Sequence, residues 1–78
     1  MKEQKIKQDI INIGANIRRI RIEKGIKPTQ LVRMLHLMNV SITRETLVKI
    51  ERGTQHIYAS QLRGIRDALE TTYDELMK

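Results

Sequence analysis

Apolar residues in the first part of the chain step by four and three. Ile6, Ile10, Ile13, Ile17 and Ile20 fall on one side of a helix, whose faces repeat about every 3.6 residues. Asp9 or Asn12 is placed to cap this first helix, which runs to about Lys24. Gly25 reads as its stop and Ile26 as the apolar anchor beyond it. The stripe covers only two heptads, so core packing explains it better than a coiled coil.

A second helix begins at Pro28, because proline suits the first helical position, where an N–H would be unpaired anyway. Gln30 stands where a capping-box side chain would be. Leu31, Met34, Leu35 and Met38 form the expected buried stripe, with Met as gap-filling core. Residues 39–42 form a turn, with Val40 and Ile42 tucked inward.

The third helix occupies residues 43–52, between Thr43 as N-cap and Gly53 as stop. Leu47 and Ile50 share one side, with Glu51 at the edge of that stripe. Arg44, Glu45, Val48, Lys49 and Arg52 cover the other. Such a helix buries a narrow stripe and offers hydrogen-bonding side chains outward.

After a polar loop of Thr54, Gln55 and His56, a fourth helix runs from about Ala59 to Leu69. Leu62, Ile65 and Leu69 are its core residues, Ala68 makes a close contact, and Tyr58 is a poor cap. Thr72 and Glu75 spell a Thr-x-x-Glu capping box for a last helix carrying Leu76 and Met77. Five helices and no strand pattern predict an all-α fold.

Length leaves room for one domain, residues 9–78, behind a flexible basic N-terminal tail, residues 1–8. A chain of this size buries roughly 60–65% of its extended surface, so dimerisation would add useful stability. With no Cys, disulfides and thiolate zinc sites are excluded and a reducing compartment fits. No apolar run spans a bilayer or makes a signal-peptide core. The expectation is a soluble, cytoplasmic protein with no membrane partner.

Charge sharpens this picture. Fifteen Lys and Arg oppose nine Asp and Glu, a net of +6. Residues 1–66 hold 14 basic and 5 acidic side chains, and residues 67–78 hold 1 and 4. A basic body points to a polyanion, although solubility alone would also account for charge. Tyr58 and Tyr73 are the only aromatics, too few for a base-stacking platform, so duplex DNA is favoured over single strands.

Catalytic chemistry finds no footing. The four glycines have no phosphate-cradling spacing, and His36 and His56 lack partners at metal-ligand spacing. His36 reads as a partly exposed helix residue, and His56 as a loop residue within reach of a phosphate. No nucleophile–base pair stands out. The expectation is a non-enzyme with no cofactor and no metal. Arg21 and Glu51, each at the border of its own helix's apolar stripe, are expected to pair, an arrangement costly to break from one side.

These residues together resemble a known family. Ile13-Gly14-x-x-Ile17-Arg18-x-Ile20-Arg21-x-x-Lys24-Gly25-Ile26, Leu31, Leu47-x-x-Ile50-Glu51-x-Gly53, Leu62-x-x-Ile65-x-x-Ala68-Leu69 and Asp74-Glu75-Leu76 look like the Xre family. Its members are the Cro and phage-repressor type helix-turn-helix proteins of bacteria and their mobile elements. The likeness covers about residues 10–77 and implies a five-helix lambda-repressor-like domain. It implies that Arg21 and Glu51 form a structural salt bridge and that helix 43–52 lies in the major groove. By position Arg44, Glu45 and Lys49 match base readers, with Val48 beside them; Thr43, Thr54 and Gln55 match phosphate contacts. The chain departs from the pattern at Leu31-Val32, where Leu-Ala is usual. It departs again at Pro28, where a DNA-holding Gln is usual; Thr29 brings a hydroxyl in its stead. The segment between Leu31 and Glu51 is several residues longer than usual. The extra length is assigned to residues 36–42, with Leu37 left exposed.

The chemistry of these residues suits the role without the family. Arg44 can grip guanine O6 and N7, Glu45 can accept from cytosine N4, and Val48 can pack on a thymine methyl. Lys49 serves guanine or phosphate. The bland alternative pairs Glu45 with Lys49 on a solvated face. For Arg18, Arg19, Lys27, Arg33 and Arg52, phosphate contact and plain surface charge stand level. Lys2, Lys5 and Lys7 could form a minor-groove arm, with disorder the alternative.

The resulting expectation is a transcriptional repressor that binds a near-palindromic operator in double-stranded DNA as a homodimer. Its half-sites would lie about 34–36 Å apart. The alternative is a protein-interaction module, such as the antitoxin of a toxin pair, using Leu37, Ile11, Ile22 and the acidic end from Asp67. A basic amphipathic helix on membranes would use only residues 10–24.

Overall fold

The computed structural model describes Glu3, Lys5, Ile6 and residues 12–78. The elements run β1 (Lys5–Ile6), α1 (Ile13–Glu23), α2 (Pro28–Leu37), α3 (Arg44–Glu51), β2 (Ile57–Tyr58), α4 (Ala59–Ala68) and α5 (Tyr73–Leu76). Asp9, Ile10, Ile11, Lys2 and Lys7, each with an expected role above, lie outside the described residues.

The apolar stripes converge on one core. Ile13 and Ile17 of α1 meet Leu31 and Leu35 of α2, Leu47 and Ile50 of α3, and Ile65 of α4, all fully buried. Leu69 and Leu76 close the same cluster from the C-terminal end. Each spacing of three or four brings its residues to one helix face, so the faces can be buried together.

Helix ends show one closure four times. Ile26 N–H bonds to Arg21 O, Val40 to Leu35 O, Thr54 to Lys49 O and Thr71 to Arg66 O, at 2.9–3.0 Å. Each closure needs the preceding residue in left-handed backbone. Gly25 (φ 68°) and Gly53 (φ 77°) adopt it readily, whereas Asn39 (φ 63°) and Glu70 (φ 52°) do so with side chains. Asparagine tolerates this region better than most residues; glutamate has no such advantage.

Helix starts follow the sequence in part. Gln30 Oε1 accepts from Lys27 N–H at 2.7 Å, and Gln61 Oε1 accepts from Tyr58 N–H at 2.8 Å. Gln61 therefore compensates at the α4 start for the poor capping side chain of Tyr58. Thr72 Oγ1 accepts from Glu75 N–H at 3.2 Å, but the Glu75 carboxylate lies 3.0 Å from Lys78 Nζ. The threonine half of the expected box is made, while the glutamate faces forward along the chain.

Two expectations need correction. Ile6 is not on the first helix's stripe but in β1, antiparallel to β2 with Lys5 opposite Tyr58 and Ile6 opposite Ile57. The all-α reading holds, with five helices among the described residues; the two-stranded sheet is a tiny addition that packs Ile6 on the core. The Glu3 carboxylate also accepts from Ser60 N–H at the start of α4. Met38, expected inside, is 43% exposed, because α2 ends at Leu37 and Asn39 turns the chain away.

Two side chains of α1 hold its neighbours. Asn16 Nδ2 donates to Leu76 O at 2.9 Å and to Lys78 O at 3.1 Å. Five residues on, Arg21 reaches α3. Across the core, α4 approaches α2 at Gly64, where a Cβ would stand 3.0 Å from Val40 Cγ2 and 3.1 Å from Leu35 Cδ2.

Candidate nucleic-acid interface

The side of α3 that faces the core is fixed at three points. Leu47 and Ile50 are fully buried, and Glu51 follows them at 8% exposure. Arg21 Nε donates to Glu51 Oε2 at 2.8 Å and Arg21 Nη2 donates to Glu51 Oε1 at 2.9 Å. The third guanidinium nitrogen, Nη1, donates to Ile26 O at 2.9 Å. Fork meets carboxylate in parallel, the geometry that gives a buried charge pair its strength. The backbone closure at Gly25 presents that Ile26 carbonyl, so the end of α1 and the end of α3 are joined through one side chain.

Thr43 and Thr54 close the two ends of α3. Thr43 Oγ1 accepts from Thr46 N–H at 3.1 Å and donates to Thr46 Oγ1 at 3.0 Å. Thr54 Oγ1 donates to Lys49 O at 3.1 Å. Both hydroxyls are exposed at their residues yet already engaged in shaping the helix. An oxygen with unused lone pairs accepts from a donor only, and phosphate is not a donor. Thr54 N–H is engaged as well, with Lys49 O at 3.0 Å, so the N–H groups at the start of α3 are better suited to an anion.

Arg44, Glu45, Lys49 and Arg52 are exposed, and Val48 is half-buried between them. Glu45 and Lys49, one turn apart, do not form an ion pair with each other. The outer face of α3 therefore carries three cations and one carboxylate with hydrogen-bonding capacity turned outward. Thr29, second residue of α2, is exposed, as are Arg18, Lys27 and Arg33. Gln55 is half-buried in the loop after α3 and shares an open cleft with Thr43 and Thr46. The structure thus brings Thr43, Thr54 and Gln55 to the ends of α3, with Thr29 on the separate start of α2.

His36 is the residue whose role the sequence did not disclose. It is exposed, but its Nε2 lies 2.8 Å from Ile42 O, across the turn between α2 and α3. Spacing within one helix gives no sign of such a contact, which depends on the chain folding back after Asn39.

Among the described residues, no group of three or more His, Asp or Glu is placed to hold a metal ion. No helix among them is long and apolar enough to cross a membrane.

The order α2, turn, α3, set among the five helices of the described residues, is a helix-turn-helix arrangement. A solved structure of this fold is the restriction-modification controller protein C.AhdI from Aeromonas hydrophila. It superposes with a TM-score of 0.73 at 22% identity, covering 87% of this chain and 96% of that one. At that identity the likeness is one of fold. No family model and no curated protein matches the chain.

Proposed function

We propose that the chain is a sequence-specific DNA-binding transcriptional regulator, a repressor that occupies a near-palindromic operator as a homodimer. In this reading α3 enters the major groove of double-stranded DNA. The observation that carries it is the division of α3. Leu47, Ile50 and Glu51 are locked inward, while Arg44, Glu45 and Lys49 face out without pairing with one another. A rigid helix with an outward set of donors and acceptors is what reading base edges requires. The surplus of Lys and Arg supplies attraction to phosphate.

In the proposed roles, Arg44 reads guanine, Glu45 reads cytosine, Val48 packs on a thymine methyl and Lys49 meets guanine or phosphate. Thr29, Thr43, Arg52, Thr54 and Gln55 would meet the backbone, with main-chain N–H groups at the start of α3 serving beside Thr43 and the Thr54 hydroxyl turning from Lys49 O to phosphate. The dimer face is assigned to α4 and α5, where a shallow groove is lined by Ala59, Leu62, Tyr73 and Met77. Selection from a random duplex pool at near-physiological salt tests the reading. One enriched motif with two related halves is expected; no enriched motif refutes it.

A second reading draws on Leu37, 82% exposed, and Ile22, 51% exposed. Large apolar side chains in water suit a protein partner, as in an antitoxin. A stoichiometric partner purified with the chain from its native host, together with no selected DNA motif, would favour it.

A further inference from the structure

We propose that His36 is a positioning residue for DNA reading: its ring fixes the entry of the chain into α3. This inference rests on the DNA-binding reading above. The turn between α2 and α3 takes six residues, 38–43. Its first half is held by backbone and packing: Asn39 adopts φ 63°, Val40 N–H bonds Leu35 O, and the Val40 side chain lies against Gly64. Its second half leads straight into α3 and is held differently.

There the polar anchor is a side chain. His36 Nε2 lies 2.8 Å from Ile42 O and 3.4 Å from Ile42 N. A carbonyl oxygen only accepts, so the shorter contact puts the ring proton on Nε2 as donor. The neutral ring in that tautomer and the charged ring both supply it. Ile42 is 5% exposed, and a carbonyl at a buried residue needs a partner.

Thr43 comes next, and its hydroxyl accepts from Thr46 N–H in the first turn of α3. Arg44 and Glu45 are the first two residues of that turn. Ring, Ile42 carbonyl, Thr43 cap and the first readers thus form one consecutive series. The Ile42 side chain remains in the core without the ring, so the fold should survive its loss while the angle of entry relaxes. Readers must be held to about 0.5 Å to work, so relaxed entry should cost selectivity first.

The test compares wild type, His36→Leu and His36→Gln on the motif selected by the wild type and on unrelated duplex. His36→Leu should bind the selected site about tenfold more weakly, the scale of one impaired base contact. Its affinity for unrelated duplex should stay unchanged, and His36→Gln, whose amide offers a donor at similar reach, should recover most of the loss. Equal weakening on both duplexes, wild-type affinity in His36→Leu, or no recovery in His36→Gln overturns the proposal. If His36→Leu does not fold, NMR of the wild type decides: a slowly exchanging ring Nε2 proton supports the contact, and exchange as fast as in free histidine overturns it. If the wild type selects no motif, the DNA reading falls and takes this inference with it. If it selects one and the variants bind it like wild type, this inference alone falls.

Discussion

Arg21 and Glu51 meet fork to fork, 2.8 and 2.9 Å apart along two parallel hydrogen bonds, and both are nearly excluded from water. Removing one partner leaves the other as a buried charge with no counterion. Arg21→Ala or Glu51→Ala should therefore lower stability by about 3–5 kcal/mol in urea titration. A paired replacement by apolar residues, Arg21→Met with Glu51→Leu, should recover much of that loss, because the desolvation penalty disappears with the charges. Single variants that melt like wild type would remove the pair's structural importance.

The left-handed residues at helix ends separate two substitutions of opposite sign. Gly53→Ala puts a Cβ into backbone of φ 77°, where L residues pay roughly 1–2 kcal/mol. Glu70→Gly releases a strained residue at φ 52° and should raise stability by about 0.5–1 kcal/mol after the extra chain entropy of glycine. Thermal melts of the two variants should move in opposite directions; a shared direction would contradict the assignment of strain to the backbone.

Most helices were legible because their information is local. The spacing of Ile13, Ile17 and Ile20, the threonine at residue 43 and the glycines at 25 and 53 act within one or two turns. What stayed hidden depends on distant partners. Lys5–Ile6 and Ile57–Tyr58 are strands two residues long, too short to show an alternating pattern, and exist only because each finds the other. Met38 continues the helical period of Leu31 and Leu35, yet Asn39 ends the helix first. In the candidate interface, the outward set on α3 could be read from its periodicity. That Thr54 spends its hydroxyl on the end of α3 could not.

Close approach at Gly64 gives a packing prediction. A Cβ there already stands 3.0 Å from Val40 Cγ2, so Gly64→Val must displace the neighbouring turn or the helix. Overpacking of this kind costs about 1–3 kcal/mol. The check is the urea midpoint of the variant, and an unchanged midpoint would mean that Val40 gives way freely.

Base and phosphate contacts should separate by their dependence on sequence and salt. Arg44→Ala should cost about 1–3 kcal/mol on the selected motif and relax the preference at one base pair. Arg33→Ala, if it meets phosphate, should weaken every duplex alike and flatten the salt dependence by about one unit. Titrations of both variants at several salt concentrations distinguish these outcomes, and an even loss for Arg44→Ala would make it a backbone contact.

Asn16 and Arg21 make α1 the shared anchor of two other helices. The amide of one grips the carbonyls of Leu76 and Lys78, and the guanidinium of the other grips Glu51. The two grips are five residues apart, about one and a half helical turns. α5, a helix of only four residues, and α3 are thus hydrogen-bonded to the same short stretch of α1.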